Sequence, residues 1–162
     1  GIDSKETLEK QLEENIKARK EAEADNKYID ELLEKAAKNT KIDIPEVMIN
    51  EEIDRIIKQY EENLKMQGIT LEMFYQFTNS DEQALRDQMK EEAINRVTYR
   101  LMLEEIANKE NIEVTDEQAE TEATTLATKY QMDKDEFLKL FGGLEMVKYD
   151  LKMRQAIEVL KK

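Results

Sequence analysis

Neither cysteine nor histidine occurs in this sequence. The protein therefore has no disulfide, no thiolate or imidazole metal ligand, no cysteine nucleophile and no histidine-based catalytic triad. The sequence also lacks a secretory apolar region and any run of eighteen apolar residues, so we expect neither a signal peptide nor a membrane-spanning helix. Because the chain starts at Gly1 without a Met, we interpret it as a mature product or an excised piece of a longer protein.

Proline and glycine are scarce, with one and four residues among 162. Apolar residues make up 40% of the chain and charged residues 39%, so one large core is not expected. Abundant Glu, Lys, Leu and Ala favour helices. We therefore predict an all-α fold with an elongated helical body and much solvated surface.

The formal net charge is -13 at pH 7. Negative charge of this size repels phosphate backbones and anionic membrane surfaces, so we expect neither nucleic acid nor a membrane as a partner. Clustered carboxylates such as Glu51, Glu52 and Asp54 are typical of a solvated helix surface, because helical di-metal centres pair Glu with His and this chain has no His. We expect no cofactor and no metal site.

The first predicted helix covers about residues 4–40, where nothing breaks the helical pattern. Asp3 and Glu6 have the spacing of a capping box at its start. A continuous helix would be roughly 50 Å long, with only alanines to offer a core in its middle. The alternative is a pair of helices separated near Asp25 and Asn26.

Later helix boundaries are predicted from residues that favour helix ends. Pro45 suits the first turn of the second helix, and Gly68 lies where a left-handed C-terminal cap is expected. Gly142 and Gly143 stop a later helix. The predicted N-terminal caps are Thr70, Ser80 with Gln83, Thr115 with Gln118, and Asp133 with Glu136.

The helix predicted from Ser80 to about Asn108 becomes apolar on several sides near its end. A helix that is apolar on more than one side is typical of a buried position. We therefore place the centre of the main core on this stretch, which includes Tyr99, Met102, Leu103 and Ile106. The helix after Thr115 presents mostly alanine and offers a thinner face.

All four phenylalanines lie in two short segments, residues 66–77 and 130–141, which form an imperfect internal repeat. In each copy an apolar residue and an N-cap residue precede an acidic residue in the first helical turn and then Phe. We predict that each copy lies at the turn of a helical hairpin, where burial partners are few. The candidate binding residues are Met66, Met73, Phe74, Tyr75 and Phe77 in the first copy, and Tyr130, Met132, Phe137, Leu140 and Phe141 in the second.

Two interpretations of these segments stay open at this point. Met adapts to varied apolar surfaces and aromatic rings supply large contact areas, so the segments could form an adaptable binding surface. Alternatively, each short helix folds back and buries its Phe residues against its own hairpin. Spacing alone favours burial, because apolar residues at helical spacing usually belong to a core.

Five stretches resemble, in their order and spacing, the C-terminal domain of bacterial trigger factor, a ribosome-associated chaperone. They are Ile42–Ile57, Gln67–Phe74, Leu85–Val97, Leu103–Ala107 and Ile112–Glu117. The resemblance covers essentially the whole chain, and its most specific motifs are the Asp-Ile-Pro helix start and the Ile-Glu-Val-Thr-Asp-Glu connector. A weaker resemblance is to a periplasmic chaperone that shares the helical fold.

This resemblance implies a single domain of residues 1–162 with two projecting helical-hairpin arms, arm 1 at about residues 58–90 and arm 2 at about residues 116–150. In the family the arms cradle nascent or unfolded polypeptide, which implies that the Phe segments are partly exposed client-binding surfaces. A cytoplasmic location is also implied. The family's ribosome-docking signature and prolyl isomerase domain have no counterpart here, so we expect no enzyme activity and ribosome contact only through a domain absent from this chain.

We therefore predict an ATP-independent chaperone domain that binds nascent or unfolded polypeptides through its apolar arm surfaces. One rival function is a helical adaptor that binds one specific folded partner through the same Phe residues, and breadth of client binding separates the two. Another rival is a prolyl isomerase, but the sequence offers no strand-rich domain to host that activity. The sequence leaves open whether the domain forms a homodimer.

Overall fold

The computed structural model describes the backbone of residues 5–162 and the side chains of residues 8–162. The predicted capping box of Asp3 with Glu6 lies outside these described residues. Within residues 5–162 the chain forms seven α-helices and no strand, which confirms the all-α prediction. The helices are α1 Lys5–Lys38, α2 Glu46–Met66, α3 Leu71–Thr78, α4 Glu82–Lys109, α5 Asp116–Lys129, α6 Lys134–Phe141 and α7 Leu144–Leu160.

Helix α1 is one continuous element of 34 residues, without a break at Asp25 or Asn26. Its first half is solvent-exposed on every side from Leu8 onward. Its second half packs on α4 and contributes Leu33 to a core cluster. A salt bridge of 3.1 Å from Lys161 Nζ to Asp25 Oδ1 adds a second contact, between α1 and the end of the chain.

Three separate apolar clusters replace a single core. One joins α2 to α4 through Ile53, Ile56 and Ala93, and another joins α4 to α7 through Leu103, Ala107 and Ala156. The third lies among α5, α6 and α7 and consists of Ala119, Ala123, Ala127, Phe137 and Val147. Helix α4 packs against α1, α2 and α7, so the predicted central stretch does hold the body together.

Helices α2 and α4 run antiparallel and are also joined by charge. Asp54 pairs with Arg86 near the start of α4. Glu52, which precedes Asp54 on α2, lies near Arg96 and Arg100, more than two turns further along α4. The Glu52 side chain is buried, and its carboxylate accepts a 3.3 Å hydrogen bond from Arg55. A buried carboxylate is costly unless it is paired, so these arginines hold the register of the two helices.

Helices α5 and α7 instead run in the same direction. Asp116 pairs with Lys148 at the start of both helices, and Glu122 pairs with Arg154 at 2.8 Å two turns later. Helix α6 returns between them and packs on both. The chain therefore goes up, down and up again through α5, α6 and α7.

Most predicted helix caps are confirmed. The Thr70 hydroxyl accepts a hydrogen bond from Met73 N–H at the start of α3. Thr115 and Gln118 form a reciprocal capping box at the start of α5. At the start of α6 Asp133 is the N-cap as predicted, but its side chain accepts from the N–H of Asp135 and not from that of Glu136. Helices therefore begin where short polar side chains can satisfy free N–H groups.

The predicted cap of α4 is wrong by one residue. Asp81 is the N-cap, and its Oδ1 accepts a 2.8 Å hydrogen bond from Ala84 N–H. The Ser80 hydroxyl lies 2.7 Å from the Thr78 hydroxyl instead. A carboxylate interacts more favourably than a neutral hydroxyl with the positive end of the helix dipole, which explains the choice of Asp81.

Candidate functional site

The two Phe segments have matching local backbones. Helices α3 and α6 each contain eight residues. Each is followed by a C-cap residue in the left-handed conformation, Asn79 after α3 and Gly142 after α6. The turns that precede them close with equivalent hydrogen bonds, from Ile69 N–H to the Leu64 carbonyl at 3.0 Å and from Met132 N–H to the Ala127 carbonyl at 2.9 Å. The repeat predicted from sequence is therefore also a repeat of local structure.

The first patch consists of Met66, Met73, Phe74, Tyr75 and Phe77, at the end of α2 and on α3. Met66 is 80% exposed and Phe77 is 78% exposed, while Met73 is exposed to a smaller extent. Phe74 and Tyr75 are half-buried, and no residue of α3 is buried. The first patch therefore presents apolar surface to solvent from a helix that is capped at both ends.

Aromatic contacts fix the inner side of the first patch. The Phe74 ring meets the Tyr60 ring of α2 edge to face, with 5.3 Å between ring centres, and lies 6.0 Å from the Tyr75 ring. Burial raises the pKa of the Tyr75 hydroxyl, and the carboxylates of Glu82 and Asp81 raise it further. The apolar surface is thus bordered by negative charge.

The second patch consists of Tyr130, Met132, Phe137, Leu140 and Phe141, at the end of α5 and on α6. Leu140 is 74% exposed and Tyr130 is also exposed, but Met132 and Phe141 are half-buried. Phe137 is only 6% exposed and belongs to the cluster of α5, α6 and α7. Its ring stacks on Phe141 at 5.2 Å and lies parallel to Tyr130 at 6.4 Å.

Each interpretation left open by the sequence thus describes a different part of the site. Phe77 and Leu140 occupy the same position in the two copies, and both are highly exposed. Phe74 and Phe137 also occupy the same position, but only Phe137 is folded into a core cluster. Whether these surfaces bind a polypeptide stays a prediction.

Met146 is an exposed apolar residue near the second patch that lies outside the two Phe segments and is not among the candidate binding residues. It lies in the first turn of α7 and its side chain sits against Gly142, next to α6. Its position within the apolar stripe of α7 gave no signal of exposure. The one sequence feature that indicated exposure of Met146 is its proximity to Gly142 and Gly143, which end α6.

An apolar groove of about 640 Å³ lies between the end of α1, α4 and the end of α7, with Ile42, Leu101 and Leu160 in its lining. Nearby, Tyr149 donates a 2.7 Å hydrogen bond to Glu104, and burial together with this bond raises the pKa of Tyr149 to about 12. This bond ties α7 to α4.

Metal-holding clusters and membrane-spanning helices are both absent from the residues that the structure describes. These residues contain no group of acidic side chains placed to hold a metal ion. None of their helices is long and apolar enough to cross a membrane.

The sequence of this chain is similar to those of known proteins. The family model described as "Bacterial trigger factor protein (TF) C-terminus" matches residues 4–162. Trigger factor of Anoxybacillus flavithermus is 43% identical over 159 residues, and that alignment covers 98% of this chain and 37% of the relative. Trigger factor of Bacillus subtilis is 42% identical over 153 residues, covering 94% of this chain and 36% of the relative.

A solved structure of trigger factor from Thermotoga maritima has a similar fold. The TM-score is 0.55 at 23% sequence identity, over 82% of this chain and 78% of that chain. This chain spans a little over a third of the length of its curated relatives. The match over residues 4–162 and the identity to these relatives show that the chain belongs to the bacterial trigger factor C-terminal family.

Proposed function

We propose that this domain is an ATP-independent chaperone domain that binds nascent or unfolded polypeptides through the first and second patches. The observation that carries the proposal is the exposure of Met66, Phe77 and Leu140 on short helices that are held by caps and by aromatic contacts. Large apolar side chains at such exposed positions are typical of interaction sites. Membership of the trigger factor family favours a chaperone over other uses of these surfaces.

Binding would be driven by removal of apolar surface from water. Each Å² of apolar area buried between a patch and a client contributes about 25 cal/mol. The patches are small and separate, so each contact is weak and rapid release requires no nucleotide cycle. Met66 and Met73 can adjust their shape to different client side chains because the Met side chain is unbranched and flexible.

Negative charge would keep such a protein soluble while its apolar residues remain exposed. The chain carries a net charge of -13, and charge of one sign opposes self-association. The proposed clients are unfolded chains in the cytoplasm, including nascent chains. Contact with the ribosome would require a domain that this chain does not contain.

The test is suppression of aggregation of a denatured model protein, with no nucleotide present. Replacing Met66, Phe77 and Leu140 together by Ser removes the most exposed side chains of both patches. We expect the variant to lose most of its activity while its helical content and stability stay near the parent values, because these side chains contribute little to any core.

A matched control replaces Leu8, Leu12 and Ile16 by Ser. These three side chains are also exposed and apolar, but they lie on α1, which contributes no residue to either patch. We expect the control to keep the parent activity. Equal loss in both variants would mean that general surface hydrophobicity, and not the two patches, suppresses aggregation.

A helical adaptor that binds one folded partner is the alternative function. The same exposed residues would serve it, so the variants above do not separate the two functions. Binding to a set of unrelated unfolded polypeptides does, because an adaptor recognises one surface. Capture of a single folded protein with no affinity for unfolded chains would replace the chaperone function by the adaptor function.

A further inference from the structure

The methionines are distributed unevenly over the structure. The chain has eight of them, and the three that are exposed, Met66, Met73 and Met146, all lie at or beside the two patches. Met102 is buried between helices of the body. The remaining four, Met48, Met89, Met132 and Met153, are half-buried.

This distribution has a chemical consequence. A thioether reacts with peroxide at a rate that follows its exposure, and the product, methionine sulfoxide, is polar. We propose that Met66, Met73 and Met146 are sites of reversible oxidation that weakens client binding while the fold persists. The proposal rests on the proposed function, because it makes these sulfur atoms part of a surface that works by apolar contact.

The reaction is a two-electron oxidation by a hydroperoxide. A sulfur lone pair forms a bond to one peroxide oxygen and the O–O bond breaks. The transferred oxygen gives up its proton to the departing hydroxide, which leaves as water. Sulfur is thereby oxidised to the sulfoxide and the peroxide is reduced. A methionine sulfoxide reductase restores the thioether: a dithiol supplies two electrons and two protons and becomes a disulfide, and the sulfoxide oxygen leaves as water.

Exposure sets the order in which the sites react. Met66 projects from the last turn of α2 and is the most exposed large apolar residue of the described chain. Met146, which lies beside Gly142, is 48% exposed and Met73 on α3 is 40% exposed, so these two follow Met66. Because Met102 is shielded in the body, a limited dose of oxidant modifies the patches before it reaches a core.

The polar product also has a direct effect on the binding surface. Met66 and Met73 are the two non-aromatic members of the first patch, whose other three members are aromatic. A sulfoxide oxygen must keep its water or find a hydrogen-bond donor, and an apolar client side chain offers none. Oxidation therefore removes apolar contact area and adds a desolvation penalty at the same position.

The experiment treats the chain with hydrogen peroxide for increasing times and then removes the peroxide. Peptide mass spectrometry measures the gain of one oxygen at each methionine. The same samples are titrated with a fluorescent, permanently unfolded polypeptide that lacks Met and Cys. Circular dichroism measures the helical content, which we expect to remain at the untreated value.

We expect Met66 to react first, Met73 and Met146 next and Met102 last. Affinity for the unfolded polypeptide should fall about fivefold once the three exposed sites are converted, and a methionine sulfoxide reductase should restore it. If full conversion of the three sites leaves affinity unchanged, or if Met102 reacts as early as Met66, the proposal is overturned.

Two variants test which methionines cause the loss of affinity after peroxide treatment. In the triple variant Met66→Leu, Met73→Leu and Met146→Leu, the three exposed positions keep apolar side chains but have no sulfur, and the half-buried Met132 of the second patch is unchanged. Its affinity after peroxide, relative to its own untreated affinity, should change less than about twofold. In the control Met48→Leu and Met153→Leu, the three exposed methionines remain, so the loss after peroxide should equal that of the parent.

An equal loss in the triple variant would overturn the assignment to these three residues. Absence of binding by the untreated parent would overturn the proposed function, and the oxidation proposal with it. These failures are distinguishable because the first appears only after peroxide and the second appears before it.

Discussion

Helices α3 and α6 have the same length, equivalent turns before them and left-handed residues after them, but they differ in what they bury. Phe74 on α3 touches Tyr60 and remains half-exposed, whereas Phe137 on α6 lies in a core cluster. The comparison shows that a shared local pattern fixes the shape of a segment and that its neighbours decide how much of it faces solvent.

The first cause of the difference lies in the preceding helix. Tyr60 and Leu64 on α2 occupy the positions that Ala123 and Ala127 occupy on α5, as judged from the equivalent turns that follow. The small side chains of α5 let α6 approach closely, so that Phe137 fills the space above them. A tyrosine at the equivalent place keeps the Phe74 ring further out, in edge contact.

The second cause lies in the connector to the following helix. Gly143 has φ of 93° and ψ of 177°, a conformation that is essentially restricted to glycine. After this residue α7 runs in the direction of α5 and brings Val147 against Phe137. After α3 the chain passes through Ser80 and Asp81 in ordinary conformations, and α4 runs antiparallel to α2.

The largest expected effect comes from truncating the two equivalent phenylalanines. Phe137→Ala removes a buried ring and should reduce the free energy of unfolding by about 3–5 kcal/mol. Phe74→Ala removes a half-exposed ring whose main partner is Tyr60, and should cost about 1 kcal/mol. Urea unfolding followed by circular dichroism measures both values, and equal losses would contradict the different burial of the two rings.

Exchanging the neighbours should reduce the difference between the segments. Ala123→Tyr places the bulky residue of α2 on α5, and the overpacking should reduce stability by about 1–3 kcal/mol. Displacement of Phe137 should also increase the binding of a dye that fluoresces on apolar surfaces. Ala123→Ser, which changes volume little, is the control and should leave dye binding unchanged.

Replacing glycines in the connectors between helices tests how much their backbone conformations contribute to stability. Gly143→Ala should cost about 1–3 kcal/mol, because a side chain is strained at this φ and ψ although the space around the residue is open. Gly68→Ala, at φ of 75°, places alanine in the left-handed helical region and should cost about 1 kcal/mol. A larger loss at Gly68 than at Gly143 would show that the Gly143 conformation is not required for the packing of α7.

The smallest expected effect is that of salt on client binding. If both patches bind by apolar burial, affinity for an unfolded client of near-zero net charge should stay nearly constant as the Debye length falls from about 30 to about 8 Å. A basic client should associate faster at low salt, because the chain carries a charge of -13. Binding that is confined to the basic client and lost at physiological salt would assign binding to the acidic surface.

Local features of the fold could be predicted where one or two neighbouring residues decide the outcome. Thr115 and Gln118 form the predicted capping box, because both partners lie within one helical turn. Gly68 adopts the predicted left-handed conformation for the same reason. The predicted cap at Ser80 is wrong because Ser80 and Asp81 compete for one position, and the Thr78 hydroxyl offers Ser80 another partner.

The candidate site was predictable only in part. The spacing of Phe77 and Leu140 within the repeat identified two positions that are both exposed. It could not distinguish Phe74 from Phe137, since the two have the same local sequence context and differ in residues contributed by other helices. Exposure of Met146 was missed, because a helical stripe does not show where the neighbouring helix ends.

The sequence by itself determined the helical class, the absence of thiol and imidazole chemistry, and the two repeated capped segments. Each of these follows from residue type or from contacts within a few positions of the chain. Tertiary structure alone decided that α4 contacts three other helices, that α5 and α7 share a direction, and that Phe137 is buried while Phe74 is not. Those outcomes depend on side chains distant in sequence, such as Val147 against Phe137, whose proximity exists only once the helices have packed.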